Sequence, residues 1–411
     1  MLQKIYLDHS ATTPVDEKVL ESMTPYFTEK FGNASSMHGF GQDAIGGVDK
    51  AREQVAKFLN CNLGEIIFTS GATEADNLAI KGVIRAVHKR LDVKPHIIIS
   101  LLEHEAILQP CAELERDGVA EVTYVKPQAN GVIDAEDVKK AIRENTVLVS
   151  IMYVNSEVGS IQPIGKIGKI IAEINEQKLI EWKKEKKPNQ GKPPIRIYFH
   201  TDAVQAVNFL TCNVKRLHVD LFSLSGHKIY GPKGVGLLYK NKEVPLIAQQ
   251  VGGHHENNFR SGTLNVPSIV GLGQAIENLT EETGVQNNEK ISKLRDLLVE
   301  GVMKNIKEVI LNTDRENAVP SHAHFSFLGV EGESILIGLD LEGVAVSTGS
   351  ACASGSLKPS HVLLAMGIKK EIAHNSIRFT LGKFTTREEI LRVIEILPPV
   401  IERLRRMAPK L

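Results

Sequence analysis

The chain has 411 residues, 42% hydrophobic and 24% charged, with 49 basic against 49 acidic side chains and no formal net charge. These values describe a soluble globular protein with room for a large domain and a smaller one, and they give no general attraction to nucleic acid or to an anionic membrane. The N-terminus, Met1-Leu-Gln-Lys-Ile-Tyr-Leu-Asp8, lacks the apolar stretch of a signal peptide and no later segment is long enough to span a bilayer, so a cytoplasmic protein is expected.

In chain order, short apolar and β-branched runs predict strands at 65–69, 96–100, 121–125, 146–154 and 195–200, followed by 219–224 and 234–239. Helical stretches fall between most of them, at 74–91 and 135–144 for example. Strands that are apolar nearly throughout, alternating with helices, predict an α/β fold with a mostly parallel sheet covered on both faces. Residues 176–194, rich in Lys, Glu, Pro and Gly and holding the only tryptophan, Trp182, break the rhythm and read as a solvated surface insertion, with a partner-docking loop as the alternative. After Thr263 the pattern changes to a long helical stretch, 267–304, then shorter strands and a charged helix, 386–407. The expected division is a large domain, 15–263, and a small α+β domain built from 1–14 and 264–411.

The chemistry concentrates at Ser223-Leu-Ser225-Gly-His227-Lys228-Ile-Tyr-Gly-Pro232. Lys228 sits on a tight connection after a strand, where α/β enzymes keep their ligands, with Ser225 and His227 beside it as anion donors. A lysine held at a fixed, partly desolvated point can condense with a carbonyl compound, so Lys228 is a candidate Schiff-base lysine rather than one more surface lysine. Phe68-Thr-Ser-Gly71-Ala72-Thr73 passes from a strand through a glycine turn into a helix, which presents backbone N–H groups and a hydroxyl to a phosphate. Thr73 serves equally well as a helix N-cap with Asp76 in the first turn. Asp202, at the end of an apolar strand, reads either as the acid that keeps a pyridine nitrogen protonated or as an ordinary cap.

Together these features resemble the fold type I pyridoxal-phosphate enzymes of the class V aminotransferase group, and among them the cysteine desulfurases of the NifS/IscS type. The resemblance covers nearly the whole chain. It is carried by Tyr6-Leu-Asp8-His-Ser-Ala-Thr-Thr-Pro14, Phe31-Gly-Asn33-Ala-Ser-Ser-Met-His38, Ser70-Gly-Ala-Thr-Glu-Ala-Asp-Asn77, Glu103-His104, Val154-Asn155-Ser-Glu157-Val-Gly159 and Arg260-Ser-Gly-Thr263. Two further segments, Ser347-Thr-Gly-Ser-Ala-Cys352 and Ser376-Ile-Arg378-Phe-Thr, select the desulfurases within the group. A thiol in a Gly/Ser/Ala loop has little packing reason to be there, which makes Cys352 the nucleophile candidate. Cys61, Cys111 and Cys212 lie in or beside regular structure and read as packing residues; the four cysteines form no CxxC pair.

The resemblance implies a mostly parallel seven-stranded sheet plus the smaller domain, pyridoxal 5'-phosphate as cofactor and a homodimer. It implies that Lys228 holds the cofactor and moves the substrate Cα proton, that Asp202 pairs with the ring nitrogen and Gln205 with the ring hydroxyl, and that His104 stacks on the ring as an acid/base. Ala72, Thr73, Ser225 and His227 would bind the cofactor phosphate, with Thr263 reaching it from the other subunit. Asn155, also a cofactor contact, and Arg378 would fix the substrate carboxylate. L-cysteine would be converted to alanine, its sulfur leaving as a persulfide on Cys352 for an acceptor such as an iron–sulfur scaffold or a tRNA-thiolation protein. No resident metal is implied, although Cys352 is a candidate transient cluster ligand. A selenocysteine lyase or another class V aminotransferase would use the same scaffold without needing Cys352, and a non-enzymatic assembly partner would not need Lys228, Asp202 and His104 intact. His254-His255-Glu256 suggests metal by composition but occupies a loop position in the family. Departures from the pattern are Asn257, where many relatives carry arginine, and an end at Leu411 without the extended tail that scaffold-binding relatives use.

Overall fold

The computed structural model describes residues 4–88, 93–185, 194–282, 285–349 and 359–407. Twelve strands are described: β1 (Ile5–Tyr6), β2 (Ile66–Thr69), β3 (His96–Ser100), β4 (Glu121–Val125), β5 (Thr146–Ser150), β6 (Tyr198–Asp202), β7 (Leu221–Ser225), β8 (Gly236–Lys240), β9 (Val309–Leu311), β10 (His322–Phe327), β11 (Val344–Ala345) and β12 (Ser376–Thr380). Seven of them form one sheet in the order β2-β8-β7-β6-β5-β3-β4. All neighbours in it run parallel except β8, which is antiparallel to both β2 and β7.

The apolar runs follow from burial on both faces. β3, β5 and β7 are buried at every position, whereas the edge strand β4 is buried only at Val125. Alternation of side chains divides the contacts: Ile97 and Ile99 of β3 pack with Ile84 and Ile107, on helices 72–88 and 105–116, while Ile98 packs with Val149 and Ile171 on the opposite face. Each such aliphatic side chain removed from water stabilises the fold by about 1.5–3 kcal/mol.

A second core surrounds the β12-β10-β9 sheet and its helices 285–305, 332–341 and 387–407. The last helix buries Ile390, Val393, Leu397, Val400 and Ile401, the three-and-four spacing of one helical face. The N-terminal arm joins this unit: β1 pairs with β11 in parallel and Asp8 bridges Thr380. Packing changes later than the expected boundary at 263. The 267–304 stretch is two helices, Val266–Glu282 and Val285–Asn305, and the first belongs to the large core, where Ile269, Leu272 and Ile276 cluster with Val48 and Val55. Gly273 permits this close helix pairing, since a Cβ there would meet Ala51 Cα at 2.7 Å. Likewise the first ten residues of the 176–194 stretch are not an insertion loop; they complete the helix Ile164–Glu185, with Trp182 half-buried on it, and 186–193 lie outside the described residues. No helix among the described residues is long and apolar enough to cross a membrane.

Candidate active site

A cavity of about 610 Å³ opens where the parallel strands end. β6 brings Asp202 to it, β7 brings Ser225, and the 3₁₀ turn Gly226–Lys228 carries His227 and Lys228 to the same wall. β2 runs into Ser70, Gly71, Ala72 and Thr73 at the start of helix 72–88, and the turn after β3 supplies His104. Ligands outside the carboxyl ends of parallel strands are the rule for open α/β sheets. Gly236 of β8 lets the phosphate-type turn lie against the sheet, because a Cβ there would meet the Gly71 carbonyl carbon at 2.7 Å. A Cβ at Gly71 would have only Ser225 Oγ near it, 4.0 Å away, so the space between turn and hydroxyl is open.

Lys228 Nζ donates to the carbonyls of Ser10 at 2.5 Å and Ala11 at 2.6 Å, which pins the amine to the N-terminal arm. Gln205 Nε2 donates to the same Ser10 carbonyl at 3.0 Å. His227 Nδ1 lies 3.1 Å from the Thr12 hydroxyl; burial, then the charges of Lys228 and Lys233, lower its pKa to about 4, so the ring is neutral. His104 caps helix 105–116 by accepting the Ala106 N–H on Nδ1 at 3.1 Å, which leaves Nε2 to carry the ring's N–H.

Asp202 accepts the Val204 N–H at 3.0 Å. Burial raises its carboxyl pKa, while the Val204 N–H, His104 and Lys228 act in the other direction. Asp76, on the first turns of helix 72–88, lines the cavity behind it and is fully buried, with Oδ1 3.6 Å from His200 Nε2. Burial and the neighbouring Asp202 push Asp76 well above the carboxylate range. Its sequence position gave it only the look of a first-turn acid.

Arg378 reaches the cavity from β12. Its Nη1 donates to the Ser156 carbonyl at 2.9 Å and its Nη2 to Asp8 Oδ1 at 2.8 Å, so the arginine is already held by a carboxylate from the N-terminal arm. Asp8 was part of the resembling motif without a role. Asn155 is fully buried and faces backbone: Nδ2 donates to the Leu102 carbonyl at 3.2 Å, and Oδ1 accepts the N–H groups of Glu157 and Val158 at 2.9 and 3.0 Å. Among residues near Asn155, Val154 and Ser156 line the cavity instead.

Thr263 is exposed and away from this cavity, on the rim of a second one of about 800 Å³ shared with Asn33, Arg52, His254 and Asn257. The 254–258 loop is organised by Glu256, whose Oε1 accepts from Arg52 Nη2 at 2.7 Å and whose Oε2 accepts the Phe68 N–H at 2.8 Å. Asn257 has φ 53°, a left-handed conformation that asparagine adopts more readily than most residues. Cys111 and Cys212 are buried and Cys61 half-buried; burial raises all three thiols, Cys61 to about 12, so none ionises near neutral pH. Cys352 lies outside the described residues.

The aminotransferase class-V family model matches residues 5–180 and 192–393. The cysteine desulfurase IscS of Dictyoglomus turgidum is 47% identical over 409 residues, spanning 100% of this chain and 97% of that protein. The one from Pectobacterium carotovorum subsp. carotovorum is 48% identical over 410 residues, with 98% and 94% covered. Among solved structures, a NifS-like protein superposes with a TM-score of 0.87 at 36% identity, covering 98% of this chain and 100% of that one. SspA in complex with cysteine gives 0.77 at 36% identity, with 93% and 100% covered. With this fold and this cavity, the chain belongs to the class-V aminotransferase family, among its cysteine desulfurases.

Proposed function

We propose that the chain converts L-cysteine to L-alanine in the 610 Å³ cavity with pyridoxal 5'-phosphate bound there, and that Cys352 takes the sulfur as a persulfide. The observation that carries this reading is the convergence of Lys228, Asp202, His104 and Arg378 on one cavity. The residues present fit the cofactor. A buried acid lies opposite a primary amine, and the open cradle between Gly71 and Ser225 Oγ, at the N-terminus of helix 72–88, suits a phosphate. Ala72, Thr73, Ser225 and His227 would hold that phosphate, Asp202 the ring nitrogen, Gln205 the ring hydroxyl, and Thr263 of a second subunit would complete the site in a homodimer.

Bound there, the cofactor supplies an electron sink that weakens the substrate's bonds to Cα. Lys228 Nζ takes the Cα proton, having been freed from the Ser10 and Ala11 carbonyls. Arg378 orients the substrate carboxylate through its guanidinium fork, sharing it with Asp8. His104 Nε2, which carries the ring proton while Nδ1 accepts the Ala106 N–H, would act on the substrate as a proton donor, and the Cys352 thiol, of ordinary pKa about 8.5 and mostly protonated at neutral pH, must lose its proton before it attacks. The Cys352 thiolate would attack the substrate sulfur: the S–S bond forms as the Cβ–S bond breaks, the electron pair passes to Cβ, which takes up a proton, and Lys228 Nζ returns a proton to Cα, so that the product leaves as alanine. The persulfide then serves an acceptor, an iron–sulfur scaffold or a tRNA-thiolation protein.

The test is incubation of the purified protein with L-cysteine and a thiol reductant, with alanine and sulfide measured for wild type, Cys352→Ser and Lys228→Ala. Sulfide from wild type alone is expected. Full activity in Cys352→Ser overturns the persulfide route, and full activity in Lys228→Ala overturns the lysine assignment. Thr263→Ala is expected to weaken cofactor retention; a monomer with full cofactor occupancy refutes the shared site.

A further inference from the structure

We propose that Glu157 is a positioning residue for sulfur transfer, its carboxylate holding Ser360 at one end of the segment that carries Cys352 and lying against Gly349 at the other. The inference rests on the reading of Cys352 as the sulfur acceptor. Glu157 lies in the turn after β5, shaped by Asn155, and its Oε2 accepts the Ser360 hydroxyl at 2.5 Å. Ser360 in turn accepts the Leu363 N–H at 3.1 Å as the cap of helix His361–Ala365. His361 Nε2 pairs with the Glu103 carbonyl at 3.0 Å, next to the acid/base His104. At the other end, Gly349 rests on the same carboxylate oxygen: a Cβ there would meet Glu157 Oε2 at 2.5 Å and His324 Nε2 at 3.1 Å.

The neighbouring residue gives this contact its purpose. The Ser156 carbonyl receives Arg378 Nη1 at 2.9 Å and the Ser10 hydroxyl at 2.8 Å. One turn therefore holds the arginine that would orient the substrate and, one residue later, Ser360 at the end of the thiol segment. A carboxylate is a costly group for mere filling: burial lifts Glu157 to about 7, with Ser360, Arg378 and His104 acting against the rise. An apolar side chain would pack there more cheaply, whereas accepting the Ser360 hydroxyl needs an oxygen.

The experiment follows sulfur on Cys352 by mass spectrometry after brief exposure of the holoenzyme to L-cysteine without reductant, together with the cofactor absorbance change that L-cysteine produces. Glu157→Ala is expected to keep the absorbance response at a half-saturating L-cysteine concentration within about twofold of wild type, while sulfur transfer slows about 10²-fold, as for a misplaced reacting group. Glu157→Gln retains an acceptor oxygen for Ser360 and is expected within about tenfold of wild type; Ser360→Ala, which removes one hydrogen bond, is expected to slow transfer about tenfold. Wild-type transfer rates in Glu157→Ala, or in Ser360→Ala should the first variant fail to fold, overturn the proposal. So does Glu157→Gln losing the absorbance response and the transfer together, the mark of a purely structural residue. Wild type that places no sulfur on Cys352 overturns the underlying assignment instead, a result separable from the others.

Discussion

Replacing Asp8 by asparagine separates the charge of the Asp8–Arg378 pair from its geometry. Asp8 Oδ1 lies 2.8 Å from Arg378 Nη2, and the two side chains are 18% and 4% exposed. The asparagine amide oxygen can still accept from Nη2, so the guanidinium stays between position 8 and the Ser156 carbonyl while the negative charge disappears. Removing one partner of a buried pair outright costs about 3–5 kcal/mol. The surviving neutral hydrogen bond and the partial exposure of Asp8 bring the expected loss of stability to about 1–2 kcal/mol. Substrate binding moves the other way. A substrate carboxylate on the remaining guanidinium N–H groups would lie about 6 Å from Asp8, where like charges repel by about 3 kcal/mol at an effective dielectric constant near 20. Solvent at Asp8 reduces this to about 1 kcal/mol, or about fivefold in affinity. Sulfide release against L-cysteine concentration should therefore show KM falling about fivefold in Asp8→Asn with kcat retained, alongside a melting temperature lowered by a few degrees. A KM raised tenfold with unchanged melting would refute the reasoning, because it would show that the charge of Asp8 aids substrate docking.

Glu103 is fully buried, and burial raises its pKa to about 8. The folded chain thus keeps a proton that an unfolded glutamate of pKa about 4.3 releases, so the stability linked to this group is intact below pH of about 4 and is lost, by up to about 5 kcal/mol, as pH rises through 8. Melting temperature should fall over that range, less so in Glu103→Gln; equal slopes in both proteins would contradict the linkage. Glu256→Ala strands Arg52 and the Phe68 N–H, with Glu256 1% and Arg52 16% exposed, and should lower stability by about 3 kcal/mol in chemical denaturation; a loss below about 1 kcal/mol would show the ion pair to be energetically idle. Gly236→Ala drives a methyl group into the Gly71 turn and should weaken cofactor retention at least tenfold in equilibrium dialysis, with retention at wild-type strength counting against the cradle as a phosphate seat.

Most of what reads locally in the chain is present in the fold. The strands 96–100 and 121–125 have the expected bounds, because runs buried on both faces or paired along an edge leave a composition signal within five residues. Lys228, His227 and Ser225 were visible for the same reason: the strand, the turn and the functional groups are contiguous. Helical periodicity runs through 267–304 and says nothing about which core a helix joins; helix Val266–Glu282 packs with the large core through Gly273 against Ala51, far away in sequence. Asp8 with Arg378 and Glu157 with Ser360 are pairs of the same kind, separated by 370 and 203 positions. No short pattern announces them.

The arrangement of acids beside Lys228 explains why one of them can serve the reaction. Asp76, Glu103 and Asp202 are all buried, and burial raises each carboxyl. Three anions so close would repel one another, so the charge must settle where partners exist for it. Asp202 accepts the Val204 N–H and faces Lys228 and His104, whereas Glu103 accepts from neutral groups, the Met152 N–H and the Ser100 hydroxyl. Asp76 meets the neutral ring of His200, whose pKa burial lowers to about 3, and Glu103 is raised to about 8. These surroundings favour the protons on Asp76 and Glu103 and the negative charge on Asp202. A single buried anion opposite an amine is the electrostatic setting that favours a protonated ring nitrogen, and Asp76 helps create it by remaining neutral rather than by touching a ligand.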